Sequence, residues 1–516
     1  MIELENNTLF KWLEANAKVR PNQVALLTTT ASITYIELEN QVLRLATAFA
    51  QLGIGKGDVV ACQLPNCPEF IVTFLACATR GVIFQTLHMP YRKAELAELI
   101  AHGEAKAVIS LGAFKDYSPA QDILELADDL PNLKSVIALG TPVQGALSFA
   151  DLLESPAERS SIVETDIDDP YLLLYTSGTT ASPKGVPHHY RGFLDNAWRT
   201  AKELQLSSDD RVCSLAPFSH LYGLMVVHLA LASGGANALV PAFNPETFIA
   251  DVSTLKPTAL FSAPAHFAPF IAANKFKKSH FEKTKLVCLS GAAVPPQLAR
   301  AVDDLLDKGE VIQLWGMSEL QAGAYGRPGD PKAERMETTG RAAPGSELRI
   351  VDENAMQVKT GEEGALEIRG SSVFDGYRNN QAETGKSFTK DGWFKTGDLG
   401  VLDYNGFLRL TGRAKEVINR GGVKFNPIDI EVHLMSLPAI TQCAIVPIPD
   451  EVLGEKACLC VEVNEGEKLT LEEVTTHLNQ IGIAKYKWPE RLEIFDEMPL
   501  TPTRKIMRGK LTAMLI

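Results

Sequence analysis

The chain has 516 residues, 45% of them apolar and 22% charged, a globular composition that excludes disorder as the main state. Lys and Arg number 50 against 63 Asp and Glu, a net charge of −13. So acidic a balance argues against non-specific binding to nucleic acid or an anionic membrane, while leaving room for a local basic site that takes an anionic ligand.

Thr34 and Glu37 form a capping box, and Leu38, Val42, Leu45, Ala46 and Phe49 recur behind it at helical spacing until Gly53 ends the run. Residues 58–64 read as a strand, 68–79 as a helix, 82–87 as a strand and 93–101 as a helix. Two more short strands are expected at 107–111 and 135–139. Strands alternating with helices imply βαβ units and a largely parallel sheet with helices on both faces. Residues 141–170 carry Glu154, Glu158, Glu164, Asp166, Asp168 and Asp169 with few large apolar side chains, and read as a solvated connection. A strand over 171–175 then runs into a loop rich in Gly, Thr and Ser. Beyond residue 340, short strands at 347–351, 365–369 and 407–410 are separated by glycine turns, which gives antiparallel character. From Arg413 a smaller unit follows, with helices at 427–436 and 471–481 and strands at 444–448, 457–463 and 491–495. The second of these helices is capped by Thr470 with Glu473. The expected fold class is α/β and α+β. An N-terminal domain over residues 1–412 holds α/β-layered sheets and a small antiparallel subdomain, and a small α+β C-terminal domain spans 413–516.

The chain opens acidic, at Met1-Ile2-Glu3-Leu4-Glu5, where a secretory signal would be basic. Its most apolar stretches, 70–87 and 221–240, are broken by Arg80 and by His228 with two adjacent glycines, so no membrane span is expected. Eight cysteines are scattered without a CxxC or a Cys/His cluster and read as reduced thiols of a cytoplasmic protein. Cys458 and Cys460, two apart on a strand-like run, are expected to point to opposite faces.

The most informative segment is Thr176-Ser177-Gly178-Thr179-Thr180-Ala181-Ser182-Pro183-Lys184-Gly185. Small residues let backbone N–H groups approach phosphate oxygens, hydroxyls add donors, and Lys184 adds a positive charge. Polyphosphate binding is the chemistry implied. The GxxxxGK[ST] kind of P-loop is excluded, because Pro183 stands where that motif has glycine, and Gly185 follows Lys184 with no hydroxyl.

The segment resembles the phosphate loop of the adenylate-forming superfamily, which comprises acyl-CoA synthetases, luciferases and peptide-synthetase adenylation domains. One position departs, with Ala181 for the last loop glycine. The resemblance continues in the family's order along nearly the whole chain. Pro217-Phe218-Ser219-His220-Leu221-Tyr222-Gly223 resembles the segment bordering the carboxylate pocket. Ser290-Gly291-Ala292-Ala293 resembles the turn beside the adenine. Gln313-Leu314-Trp315-Gly316-Met317-Ser318-Glu319 resembles the family's Q-G-Y-G-M-T-E, and Thr396-Gly397-Asp398 its T-G-D. Gly412-Arg413-Ala414-Lys415, followed by Gly421-Gly422, resembles the hinge and glycine loop. Pro502-Thr503-Arg504-Lys505 resembles the segment of the C-terminal catalytic lysine.

The resemblance implies an AMP-forming acid–thiol ligase with a mobile C-terminal domain. ATP and Mg²⁺ would be its cofactors, with coenzyme A or a carrier-protein phosphopantetheine as thiol. Thr176, Ser177, Gly178, Thr179, Thr180 and Lys184 would hold phosphates. Gly291, Ala292, Ala293, Gln313, Leu314, Trp315, Gly316, Met317 and Ser318 would line the nucleotide, with the Trp315 ring stacked on adenine. Asp398 and Arg413 would take the ribose, and Glu319 would ligate Mg²⁺. Lys505 would bridge carboxylate, α-phosphate and ribose. Lys415 is the hinge, and Gly421, Gly422 and Lys424 join the cofactor-binding set. His220, Tyr222, Gly223, Leu224, Ala265 and Leu314 would form the acid pocket, with His220 gating the path of the thiol.

Both adenylation reactants are anions, so the task is electrostatic, and a carboxylate already ionised at neutral pH needs no general base. Residues 217–225 lack the acidic residue that would bind an amino acid's ammonium. Bulk at Leu314 and the apolar Leu221, Leu224, Met225, Val227, Ala263 and Ala265 point to a shortened pocket with apolar walls. The stretch 313–319, with Arg327-Pro328-Gly329-Asp330 and Thr338-Thr339-Gly340-Arg341 after it, resembles the branch acting on aryl, alicyclic and medium-chain acids, which implies a short-to-medium, alicyclic or aromatic acid. Loading of a carrier protein stays open as an alternative, and intact Lys505, Glu319 and Asp398 weigh against a non-catalytic nucleotide-binding module. The expected partners are a small carboxylic acid and CoA or an acyl carrier protein, with no nucleic acid, for a monomer or homodimer.

Overall fold

The computed structural model describes residues 8–176, 183–464, 466–501 and 505–516. Seven strands form one sheet, in the order Leu147–Ser148, Ser135–Leu139, Ala105–Leu111, Val59–Gln63, Ile83–Thr86, Pro170–Thr176 and Lys184–His189. Every pairing is parallel except the last, where Lys184–His189 folds back on Pro170–Thr176. Both faces are apolar: Val60, Cys62, Phe84, Ile109, Leu172 and Leu174 enter one core, and Val59, Ala61, Ile83, Val108 and Leu173 another. Burial on both sides explains why these strands read as unbroken apolar runs.

A nine-stranded sheet lies across the first of these cores. Ala236–Leu239, Arg211–Ser214, Ala259–Ser262, Leu286–Leu289 and Glu310–Met317 are parallel neighbours in it. Val212, Phe261, Cys288, Ile312 and Leu314 share the core of the first sheet, together with the wholly buried helix Leu221–Ser233. Cys213, Leu260, Val287 and Val311 face a separate cluster on the far side. This stack brings several strand carboxyl ends to one region, and in α/β sheets that is where ligands bind. Pro170–Thr176 ends at the phosphate-loop segment, Arg211–Ser214 before His220, Ala259–Ser262 before Ala265, Leu286–Leu289 before Gly291, and Glu310–Met317 before Glu319.

A small antiparallel sheet follows, made of Ser346–Val351, Gly364–Gly370, Phe394–Leu402 and Leu408–Arg413. Its third strand escapes a pattern search because Lys395, Gly397, Asp398 and Gly400 interrupt the apolar residues. The C-terminal sheet combines Ile418–Arg420, Val423–Phe425, Ile440–Asp450, Gly454–Val463 and Arg491–Ile494. It carries its own core of Ile418, Ile430, Leu434, Ile445, Leu459 and Val461. Helix Leu471–Gln480 begins at the expected capping box of Thr470 and Glu473, as Tyr35–Gln51 does at Thr34 and Glu37.

Two expectations are corrected. Residues 141–170 are not wholly solvated, because Leu147–Ser148 pairs onto the sheet edge and Phe149 is buried behind it. Leu152, Leu153 and Ile162 pack beside Phe149 on the same core. Cys458 and Cys460 do not face apart. Strand side chains alternate with a period of two, so residues two apart share a face, and both thiols enter one cluster with Val446, Met498 and Leu511.

Candidate active site

The site grows from the strand ends. Glu319 sits just past Glu310–Met317, 5% exposed. Its Oε1 accepts a hydrogen bond from the Tyr377 hydroxyl at 2.9 Å, and its carbonyl accepts one from the Phe374 N–H at 2.8 Å. One residue earlier, the Ser318 carbonyl lies 2.6 Å from His188 Nε2. Burial pushes the Glu319 carboxyl above the ordinary range, against the Tyr377 hydrogen bond and the charges of Arg413 and Lys184. A buried carboxylate with one engaged oxygen is a hard ligand that suits Mg²⁺ bound chiefly by triphosphate and water. Among the described residues no group of three or more His, Cys, Asp or Glu is placed to hold a metal by itself.

Asp398 lies in Phe394–Leu402, directly across the antiparallel pair from Arg413. Its Oδ2 accepts from the Trp315 indole N–H at 2.8 Å, and its Oδ1 pairs with Arg413 Nε at 3.0 Å. Three segments more than 80 residues apart in part thus meet on one carboxylate (Trp315 and Asp398 are separated by 83). Trp315 is itself held close: a Cβ added at Gly323 would stand 2.4 Å from its ring.

Lys505 arrives from the C-terminal unit. Its backbone is tied to Thr501, with Thr501 N–H donating to the Lys505 carbonyl at 2.7 Å and Lys505 N–H to Thr501 Oγ1 at 3.0 Å. Burial lowers the ammonium's pKa, as does the Arg413 charge, while Asp398 and Glu319 act against them. His220 caps helix Leu221–Ser233, its Nδ1 accepting from the Tyr222 N–H at 3.2 Å. That acceptor role puts the ring proton on Nε2. Burial, then Lys505, then His88, hold His220 well below the ordinary histidine range, so it is neutral. The same lysine is therefore within electrostatic reach of His220, Glu319 and Asp398.

Lys184 opens the strand Lys184–His189. It pairs with Glu383 and lies 5.3 Å from the centre of the Tyr377 ring. Thr176 pairs in register with Lys184, whereas Ser177, Gly178, Thr179 and Thr180 lie outside the described residues. Gly291 has φ +87°, which favours glycine, and Ala292 and Ala293 are exposed beside it. Gln313 donates its amide to the carbonyls of Met336 at 2.7 Å and Arg335 at 3.3 Å. Gly316 has no room for a side chain, since a Cβ there would stand 1.9 Å from the Gln321 carbonyl oxygen, and Met317 pairs with Gln321.

Of the residues expected to line the acid pocket, Leu314 and Tyr222 are buried and Ala265 is half-buried. The Tyr222 hydroxyl donates to the Cys288 carbonyl at 2.7 Å and accepts from the Ser262 N–H at 3.1 Å, which fixes its ring as a wall. Gly223 packs where a Cβ would meet the Pro217 carbonyl at 2.1 Å, and Leu224 is core. Lys415 is exposed in the turn Ala414–Glu416. Gly421, Gly422 and Lys424 stand on an exposed hairpin whose contacts run to Leu453 and, at 3.3 Å, to Glu353. Those contacts do not lead to the Lys505 cluster. Tyr377, Glu383 and His188 were not read from the sequence, which carries no signal for partners so distant along the chain.

A family model described as AMP-binding enzyme matches residues 13–378, and its companion, the AMP-binding enzyme C-terminal domain, matches 429–505. The chain belongs to the AMP-binding enzyme family. Similar proteins include a putative acyl-CoA synthetase, YngI, of Bacillus subtilis (strain 168), 30% identical over 99% of this chain and 97% of that one. A salicylyl-CoA synthase / salicylate adenylyltransferase of Streptomyces sp is 31% identical over 98% and 93%. Among solved structures, the anthranilate CoA ligase AuaEII in complex with anthranoyl-AMP superimposes with a TM-score of 0.91 at 25% identity, covering 99% of this chain and 98% of that one. This family member is an AMP-forming acyl-CoA synthetase. No helix among the described residues is long and apolar enough to cross a membrane.

Proposed function

We propose that this enzyme joins a short-to-medium, alicyclic or aromatic carboxylic acid to CoA through an acyl-adenylate, with Lys505 as the cation that unites the two anionic reactants. The observation that carries the reading is the position of Lys505, whose charge acts on His220, Glu319 and Asp398 together. In the first step a carboxylate oxygen attacks the α-phosphorus, the bond from that phosphorus to the bridging oxygen breaks, and pyrophosphate leaves. Lys505 holds the attacking oxygen against the α-phosphate, Lys184 receives the departing charge, and Asp398 with Arg413 orients the ribose. Glu319, together with the triphosphate, would hold Mg²⁺, which supplies charge neutralisation. In the second step the thiol sulfur attacks the acyl carbonyl carbon and AMP departs. The exposed hairpin of Gly421, Gly422 and Lys424 would turn toward the thiol path about a hinge near Lys415.

Substrate class rests on the pocket wall. Tyr222 is fixed, Leu314 adds bulk, and residues 217–225 hold no carboxylate to receive an ammonium. The likeness to a salicylate-activating relative and to an anthranilate ligase supports an aromatic acid. ATP–pyrophosphate exchange over a panel of aryl, alicyclic, medium-chain and amino acids tests this reading. CoA and an acyl carrier protein would then be compared as acceptors. Exchange greatest with amino acids, or transfer to the carrier alone, would overturn it.

A further inference from the structure

Lys184, the cation assigned above to the departing pyrophosphate, is already engaged in the protein. Its ammonium pairs with Glu383, and the two side chains are only 14% and 26% exposed. Glu383 is no loose surface acid. Its N–H donates to Asn380 Oδ1 at 3.0 Å, and Thr384 Oγ1 donates to the Asn380 carbonyl at 2.9 Å. The Tyr377 N–H donates to Thr384 Oγ1 at 2.9 Å. Gly376, at φ +150°, closes against Thr384, whose methyl would stand 2.6 Å from a Cβ placed there. Residues 376–384 are therefore one knuckle, and its two working side chains diverge. Tyr377 reaches Glu319, while Glu383 reaches Lys184.

We propose that Glu383 is a positioning residue that acts through Lys184: it holds the ammonium in place between turnovers and weakens the enzyme's grip on pyrophosphate. The inference rests on the reading of Lys184 as the polyphosphate cation. A carboxylate beside that cation does two things. It supplies a counter-charge while no phosphate is present, so a shielded lysine keeps its orientation. It also offsets part of the field that pyrophosphate feels and repels the product's own negative charge, which favours release. The pair's burial makes this contribution larger than that of an ion pair in open water. Lys386 and Lys415 also act on the Glu383 carboxyl, so Lys184 is not its sole cationic neighbour.

The test is product inhibition of the full-length enzyme by pyrophosphate, measured in the CoA-forming direction with inorganic pyrophosphate as the probe. Glu383→Gln is expected to lower the inhibitory pyrophosphate concentration by about three-fold or more. Glu383→Asp keeps the charge and should stay near the parent. In a Lys184→Met background, Glu383→Gln should make no further difference. Unchanged or weaker inhibition in Glu383→Gln, with parent-like thermal stability, overturns the proposal. So does the same shift in Glu383→Asp, since that result makes the role one of packing. Lys184→Met alone separates the two layers. If it leaves pyrophosphate inhibition unchanged, the reading of Lys184 falls and this inference with it. If it weakens inhibition while Glu383→Gln has no effect, only this inference falls.

Discussion

The two halves of the candidate site are held in different ways. On the N-terminal side each working carboxylate is gripped by neighbours from distant segments, Glu319 by Tyr377 and Phe374, Asp398 by Trp315 and Arg413. Lys505 is tied through its backbone to Thr501, beside a bridge that joins Leu500 to Ile506 and packs against the cluster of Cys458, Cys460 and Met498. The groups proposed to bind are built into the sheets that precede residue 413, and the group proposed to drive adenylation is carried by a unit with its own core. Under the proposed mechanism, such a division would let one chain hold its ligands rigidly while the decisive charge comes and goes.

Substitutions can break that comparison. The largest effect is expected for Lys505→Ala, which should slow adenylate formation by about 100-fold or more while leaving CoA transfer from a supplied acyl-adenylate near the parent rate. Equal losses in both half-reactions, followed by pyrophosphate exchange and thioester release, would show that the lysine is no specialist. On the gripped side, Asp398→Ala removes the partner of Trp315 and Arg413 and should raise the KM for ATP by roughly 10- to 100-fold. A change confined to kcat would place Asp398 elsewhere in the reaction. Trp315→Phe keeps a ring and deletes one donor, so a smaller rise in that KM, about 2- to 10-fold, is expected.

The lowered ammonium pKa of Lys505 sharpens the comparison through pH. The charged form acts, so adenylation falls as pH rises through a value below that of an ordinary lysine. Lys505→Arg, whose guanidinium stays protonated, should move that alkaline limb upward in whatever activity remains. An alkaline limb that does not move assigns it to another group. Smallest of all, Thr470→Ala removes a helix cap in the C-terminal unit and should cost about 1 kcal/mol of stability with no change in KM for ATP, as thermal melts and kinetics would show.

Much of this was legible before any coordinates. The βα alternation from Val59 onward and both capping boxes follow from local rules, because burial on two faces and cap geometry leave their marks within a few residues, whereas Glu319 and Asp398 were singled out only by resemblance to family motifs. The strand Phe394–Leu402 was missed because its glycines and charged residues serve the site and its turns rather than the core. Tyr377, His188 and Glu383 were missed for a different reason. Each works on a partner 58 to 199 residues away, as Tyr377 does on Glu319 and Glu383 on Lys184, and no local periodicity encodes such a meeting. Gln313 shows the converse, a residue in a well-marked motif whose amide serves the backbone of Arg335 and Met336. The paired faces of Cys458 and Cys460 required only that the strand period be applied correctly.

The placement of the cysteines has a chemical consequence. An acyl-adenylate is an electrophile that any accessible thiolate can intercept, so an enzyme that makes one is at risk of acylating itself. Seven of the eight cysteines are buried, and Cys67, the partly exposed one, has its thiol pushed far above the ordinary range by its surroundings. The protein thus presents no competitive sulfur nucleophile of its own, and the activated acyl group is kept for the incoming thiol.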